Sequence, residues 1–155
     1  MTTEVHLFVD GSCRGNPGPG GCCAILQAGG REKVLVDGAD ATTNNRMELT
    51  AVLTGLQALE RPCAVTVVTD SQYVAAILRG GQAKANRDLV RQVHAAAARH
   101  TITVQWVAGH SGHALNERCD RLARAEATRR VGSGEWGVRS GECGVGSGEW
   151  GVKDE

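Results

Sequence analysis

The sequence predicts an α/β domain, a mixed sheet covered by helices. Three observations carry this. Three apolar runs open the chain in close succession, joined by short links, as in an antiparallel meander. Beyond residue 45 the apolar positions take up helical spacing, and strand and helix then alternate. Finally, two strand-like runs end in an aspartate, Asp10-Gly11-Ser12 and Asp70-Ser71-Gln72, and the carboxyl edge of the sheet is where open α/β folds place their sites.

Residues 4–10 read as the first strand, with Val5, Leu7 and Val9 on one face and His6, Phe8 and Asp10 on the other. The stretch Gly11 to Gly21 is Gly-rich, but its glycine spacing and its prolines fit neither a dinucleotide fingerprint nor a phosphate-binding loop. It is a turn between strands. Two roles are open to it: a plain hairpin loop, or bare backbone that lets a nucleic-acid strand come close. Residues 22–27 and 32–37 form the second and third strands, with 28–31 as their turn. A polar loop over 40–45 leads into a helix that runs to about Leu59, with Leu49, Val52, Leu53, Leu56 and Leu59 at helical spacing, and Arg61-Pro62 ends it. A fourth strand covers 64–69. Helices follow over 71–79, stopped by Gly80-Gly81, and over 86–99. The β-branched run 101–107 is a strand, 108–113 a flexible loop, and 114–127 a last helix with Leu115, Cys119, Leu122 and Ala123 on one face.

Aromatics make up only 3% of the 155 residues, so the core must be aliphatic. The net charge of zero hides an asymmetry: residues 1–130 carry +3 and residues 131–155 carry −3. A polyanion would therefore be met by local arginines rather than by a global field. Met1-Thr2-Thr3-Glu4 lacks the basic and apolar regions of a signal peptide, and no apolar run approaches a membrane span. These features set the expectation of a cytoplasmic protein without a membrane partner. The six cysteines lack zinc-site spacing and are expected to be reduced; Cys13, Cys22 and Cys23 are candidates for an oxidation-sensitive pair.

Residues 132–152 are three seven-residue units of the form Gly/Arg-Ser-Gly-Glu-Trp/Cys-Gly-Val, which hold eight of the 21 glycines. Such a segment buries too little to repay its ordering entropy, and its glycines exclude a coiled coil. The division expected is a domain over 1–128 and a flexible tail over 129–155. Within the tail, Trp136 and Trp150 are free to stack on bases, to dock on the domain, or to do neither.

Four carboxylates point toward the same sheet edge. Asp10 and Asp70 end strands. Glu48 lies on the margin of its helix's buried stripe, and Asp120 holds the same position beside Cys119. Each has a structural alternative: a turn residue for Asp10, a helix cap for Asp70, a capping box with Asn45 for Glu48, and an i,i+4 pair with Arg124 for Asp120. Together they would repel strongly unless a cation neutralised them. An all-oxygen set selects Mg²⁺ or Mn²⁺, and paired ions of this kind act on phosphates.

These residues lie in stretches that resemble the type 1 ribonuclease H family. The matching stretches are Asp10 to Gly20 (DGSCRGNPGPG), Thr42 to Leu49 (TTNNRMEL), Thr69 to Tyr73 (TDSQY), Trp106 to His113 (WVAGHSGH) and Asn116 to Asp120 (NERCD), in the family's order and within residues 4–127. The resemblance implies a ribonuclease H-like fold, with a five-stranded mixed sheet in the order 3-2-1-4-5. It implies an endonuclease that hydrolyses the RNA strand of RNA/DNA hybrids by a two-metal-ion mechanism, leaving 3′-hydroxyl and 5′-phosphate ends, and acting as a monomer. It assigns metal binding by Mg²⁺, with Mn²⁺ as substitute, to Asp10, Glu48, Asp70 and Asp120, and a mobile catalytic histidine to His110. RNA-strand contacts match Cys13, Gly15, Asn16, Asn44, Asn45 and Gln72, and a DNA-phosphate pocket matches Thr43 and Asn86. Reading 2′-hydroxyls with polar groups and bare backbone is what distinguishing RNA from DNA requires.

Two departures stand out. Ala41 occupies the place of the phosphate pocket's usual arginine. The extra helix and basic loop of many bacterial members are absent, because only Arg79 to Lys84 separates the two middle helices. Other readings are a hybrid-binding module without catalysis and an integrase- or resolvase-like nuclease acting on DNA. The intact carboxylates with His110 oppose the first, and the Asn44, Asn45 and Gln72 set opposes the second. His110 and His113 as zinc ligands lack partners at suitable spacing.

Overall fold

A computed structural model describes residues 3–109 and 113–131. The element order is β1 (Thr3–Cys13), β2 (Gly18–Ala28), β3 (Arg31–Thr42), α1 (Asn44–Gln57), β4 (Cys63–Thr69), α2 (Gln72–Leu78), α3 (Arg87–Ala97), β5 (Thr101–Trp106) and α4 (Ala114–Val131). The five strands form one sheet in the order β3-β2-β1-β4-β5. β1 and β2 pair antiparallel, as do β2 and β3, whereas β4 runs parallel to both β1 and β5.

The alternation along β1 divides the core between the two faces. Val5, Leu7 and Val9 join Leu49, Val52 and Leu56 of α1 and Val74 and Ile77 of α2 in the larger cluster. α3 closes that cluster with Leu89, Val90 and Val93. On the opposite face Phe8, Cys23, Ile25, Val36 and Val68 meet Cys119 and Ala123 of α4. α4 packs on β1, β2 and β3, so Thr101, Thr103 and Gln105 of the edge strand β5 stay exposed.

The structure extends several elements beyond their predicted ends. β1 and β2 reach into the Gly-rich stretch: the ladder continues to Cys13↔Gly20, and only residues 14–17 form the tip. β3 runs on to Thr42, through residues expected to be loop. Glycine and polar residues disfavour strands locally, and packing overrides that preference here. A Cβ on Gly21 would sit 2.4 Å from Ala123 O and 2.6 Å from Glu126 Cβ, so the bare strand is what lets α4 lie on it. α4 continues to Val131 because Glu126, 2% exposed, pairs with both Arg129 (2.8 Å) and Arg130 (2.9 Å), and Arg130 reaches on to Asp40. The helices over 72–78 and 87–97 are each shorter than predicted.

Of the candidate cysteines, Cys22 and Cys23 do not face each other. Neighbours on β2 point to opposite faces, so Cys22 lies in the larger cluster and Cys23 in the smaller one. The Cys13 thiol donates to Gly18 O and Thr42 O. The sulfur that faces Cys23 is Cys119. All cysteines among the described residues are free thiols.

Gly21→Ala is expected to destabilise the domain by about 1–3 kcal/mol, because the added methyl meets α4 backbone that cannot yield alone. Thermal unfolding checks this; an unchanged midpoint would mean that α4 does not seat on β2 as described.

Candidate active site

The register of the parallel β1–β4 pair, Phe8↔Val68, puts Asp10 of β1 level with Asp70, the residue that directly follows β4. α1 then delivers Glu48. A Cβ on Gly11 would lie 2.6 Å from Glu48 N and 2.7 Å from Met47 C, so the missing side chain lets the first turn of α1 rest on β1 directly after Asp10. Carboxylate oxygens of Asp10, Glu48 and Asp70 all lie within 4.8 Å of one another. Asp10 and Glu48 are buried, and Asp70 is half-buried. Asp120 stands outside this set and joins it through a hydrogen bond to Asp10. Its position follows from Cys119, whose buried thiol donates to Phe8 O (3.3 Å) and Cys23 O (3.1 Å) and pins α4 to the sheet. Asp120 also forms the i,i+4 pair with Arg124, at 3.1 Å.

Burial, the Asp70 charge and the Asp120 hydrogen bond push the Asp10 carboxyl up to about 7. Glu48 is raised well above the usual carboxylate range, by burial first and then by the charges of Asp10 and Asp70. Two carboxyls can share a hydrogen bond only when one keeps its proton, so without a cation the cluster is held together by protons.

The set suits a divalent cation. Glu48 Oε1 is buried without a hydrogen-bond partner. An unsatisfied buried carboxylate oxygen costs several kcal/mol unless something positive meets it, roughly 1–3 kcal/mol even for a neutral group. Four carboxylates without nitrogen or sulfur fit a hard ion such as Mg²⁺ or Mn²⁺.

Several predicted contact residues cluster around the first turn of α1. Asn16 Oδ1 accepts from Asn44 N at 2.9 Å, tying the β1–β2 tip to that helix. Gly15, at the same tip, has φ +85°, a backbone that favours glycine. Asn44, Asn45 and Gln72 are exposed, and Gln72 opens α2 two residues after Asp70. Thr43 caps α1 by accepting from Arg46 N at 3.2 Å, and Arg46 Nη1 donates to Asn86 Oδ1, also at 3.2 Å. The main-chain N–H of Arg46 thus serves the Thr43 cap, while its guanidinium reaches Asn86 and holds Asp88. Asn86 itself is left-handed at φ 61°. Cys13 is engaged by main-chain carbonyls rather than turned outward. His110 lies outside the described residues. Its neighbour Gly109 packs close to the site: a Cβ there would be 3.3 Å from Asp70 Oδ2. His113 packs its ring on Phe8, with centroids 5.3 Å apart.

Sequence reasoning missed Gly11, Arg46, Cys119 and Trp106 as supports. Trp106 donates its indole N–H to Asp70 O at 3.1 Å. A small residue directly after each strand-end aspartate was the available signal for Gly11; for Arg46, Cys119 and Trp106 the contacts span 36 to 111 positions and leave no local trace.

A profile described as RNase H matches residues 2–128. The protein named ribonuclease H from Nitratidesulfovibrio vulgaris strain DP4 is 51% identical over 142 residues, spanning 82% of this chain and 91% of that one. Among solved structures, LC9-RNase H1, described as a type 1 RNase H with the type 2 active-site motif, superposes with a TM-score of 0.75 at 28% identity, covering 90% of this chain and 82% of that one. LC11-RNase H1 in complex with an RNA/DNA hybrid gives a TM-score of 0.70 at 18% identity, covering 82% and 99%, a likeness of fold alone.

The raised carboxyls make a signed prediction. In the metal-free protein the folded state binds more protons than the unfolded one between about pH 4 and pH 7, so their contribution to stability is present below that window and lost as pH rises through it. Asp10→Asn removes one charge from the cluster. Thermal unfolding in EDTA should show the variant with a higher midpoint than the parent at pH 8 and little difference at pH 4. Equal midpoints at pH 8 would contradict the described crowding.

Proposed function

The chain belongs to the RNase H family and is a ribonuclease H, and from that premise we propose that it cuts the RNA strand of RNA/DNA hybrids at the Asp10, Glu48, Asp70 and Asp120 cluster. The observation that carries the site assignment is the convergence of three carboxylates within 4.8 Å, with Glu48 Oε1 buried and unpartnered. Mg²⁺ held there would supply an activated water and stabilise the leaving 3′-oxygen. Asp10 and Glu48 would give up their shared protons on loading, so metal affinity rises with pH through about 7. Trp106 steadies the Asp70 main chain, and Cys119 sets the depth of α4 and hence of Asp120.

The substrate surface is built from the same elements. Asn16 and Asn44 are locked together beside the cluster, and Asn45, Gln72 and the bare Gly15 backbone extend that surface for 2′-hydroxyl contacts. His110, which the resemblance assigns to proton transfer or product release, follows Gly109 in the sequence, and Gly109 packs on Asp70. On the DNA strand, Arg46, whose guanidinium bonds Asn86 and pairs with Asp88, is the cation that stands nearest the pocket in place of Ala41. α2 ends at Leu78 and α3 begins at Arg87, so no helix-borne basic handle lies between them. The compensating contacts fall to Arg79, Lys84, Arg87, the Gly-rich stretch 11–21 or the segment 131–155, and binding is weaker and strongly salt-dependent. A cytoplasmic monomer fits this reading.

One labelled RNA, presented as hybrid, as RNA duplex and as single strand, tests the function directly. Cleavage is expected for the hybrid alone, with Mg²⁺ and not with EDTA, and Asp10→Asn abolishes it. Binding of the hybrid without cleavage would instead support a non-catalytic module, and cleavage of duplex DNA an integrase-like enzyme.

Arg46→Ala is expected to raise KM for the hybrid by about tenfold, with little change in kcat, and to make the salt dependence shallower by about one counterion. A fall in kcat with KM unchanged would remove Arg46 from the substrate surface.

A further inference from the structure

A groove lies on the far side of α4 from the carboxylates. It has a volume of about 370 Å³, with Val34 and Val36 of the edge strand β3 on one wall and Leu122, Ala125 and Arg129 of α4 on the other. This is the size of a small-ligand pocket, with room for one indole ring. The groove runs along α4 toward its end at Val131, where the described chain stops and the repeats begin.

We propose that the segment 132–155 folds back on this groove within the same molecule, with Trp136 as its anchor. Reach supports this assignment. Trp136 lies five residues beyond Val131, a span of up to about 17 Å, whereas Ala125 and Leu122 lie about 9 and 14 Å back along the helix. Gly132 and Gly134 permit the chain reversal that leaving a helix and returning along it requires. Trp150 can also reach, but it closes a loop 14 residues longer and at greater entropic cost.

Charge supports it as well. Within α4 five arginines stand against three acidic residues, giving +2, while residues 132–155 carry −3. Each repeat places a glutamate directly before its Trp or Cys: Glu135, Glu142 and Glu149. An indole seated between Val36 and Leu122 would bring Glu135 to a groove edge that carries Arg118, already paired with Glu32, and Arg129, paired with the buried Glu126 that also lines the groove. The short tether sets a high effective concentration, so contacts too weak to hold a free peptide suffice to keep the segment docked. The docked segment covers an apolar seam of the sheet and leaves the carboxylate cluster and the α1 surface open.

The full chain carrying Trp106→Phe and Trp150→Phe isolates the Trp136 fluorescence. Docking predicts blue-shifted emission and acrylamide quenching about threefold less efficient than in a free peptide of residues 132–155, as for an indole with most of its surface covered. Adding Ala125→Glu, which fills the groove and repels Glu135 at an exposed helix position, should return both signals to peptide values without changing the unfolding midpoint; Val34→Glu, at a half-buried position packed on the smaller cluster, should free the indole from the other wall with a lower midpoint. Peptide-like emission in the parent, or shielding that survives both groove variants, overturns the proposal. Shielding that appears only as protein concentration rises also overturns it, by assigning the segment to the groove of a second copy.

Discussion

The rest of the structure depends on forcing buried carboxylates into mutual contact. Asp10, Glu48 and Asp70 come from three different elements, and each is held in place by something that is not another carboxylate. Asp10 and Asp70 are fixed by the parallel register of β1 and β4, Glu48 by the seating of α1 on Gly11, and Asp120 by the Cys119 thiol on two main-chain carbonyls. Desolvation and repulsion oppose this assembly, so the surrounding aliphatic core must supply the difference. A site of this kind is strained toward accepting a cation, and the core on both faces of the sheet is what keeps it from relaxing.

The two faces divide the work. α1, α2 and α3 close the larger cluster and present Glu48, Thr43 and Asn86 along one side of the sheet edge. α4 alone closes the smaller cluster and brings Asp120 from the other side. Arg46 connects the first turn of α1 with the start of α3, so the polar rim of the site is stitched by side chains where the link between α2 and α3 is short.

The fold was legible because its signals are local. The change of apolar period after residue 45, the strand-end aspartates and the alternation along β1 each survive in a short window. The carboxylates were legible as charges placed where burial was expected. Strand ends were not: Gly11 to Gly21 and residues 38–42 read as loop, since glycine's preference is local and the close packing of Met47, Thr42 and α4 that overrides it is not. Nor was the true sulfur neighbour of Cys23, because Cys22 and Cys23 are adjacent in sequence and separated by the pleat, while Cys119 lies 96 positions away.

The pairing of β1 with β4 has a consequence for how the site comes into being. Asp10 and Asp70 are 60 positions apart, and Asp120 is 50 further on, so the centre is gathered from most of the length of the domain. The β1–β2–β3 meander can form from nearby contacts, but the parallel crossover closes a long loop before it is rewarded. The carboxylates meet only once that slow step is complete. Repulsion among them therefore opposes the compact assembly rather than any local segment, and a divalent ion bound there would relieve it.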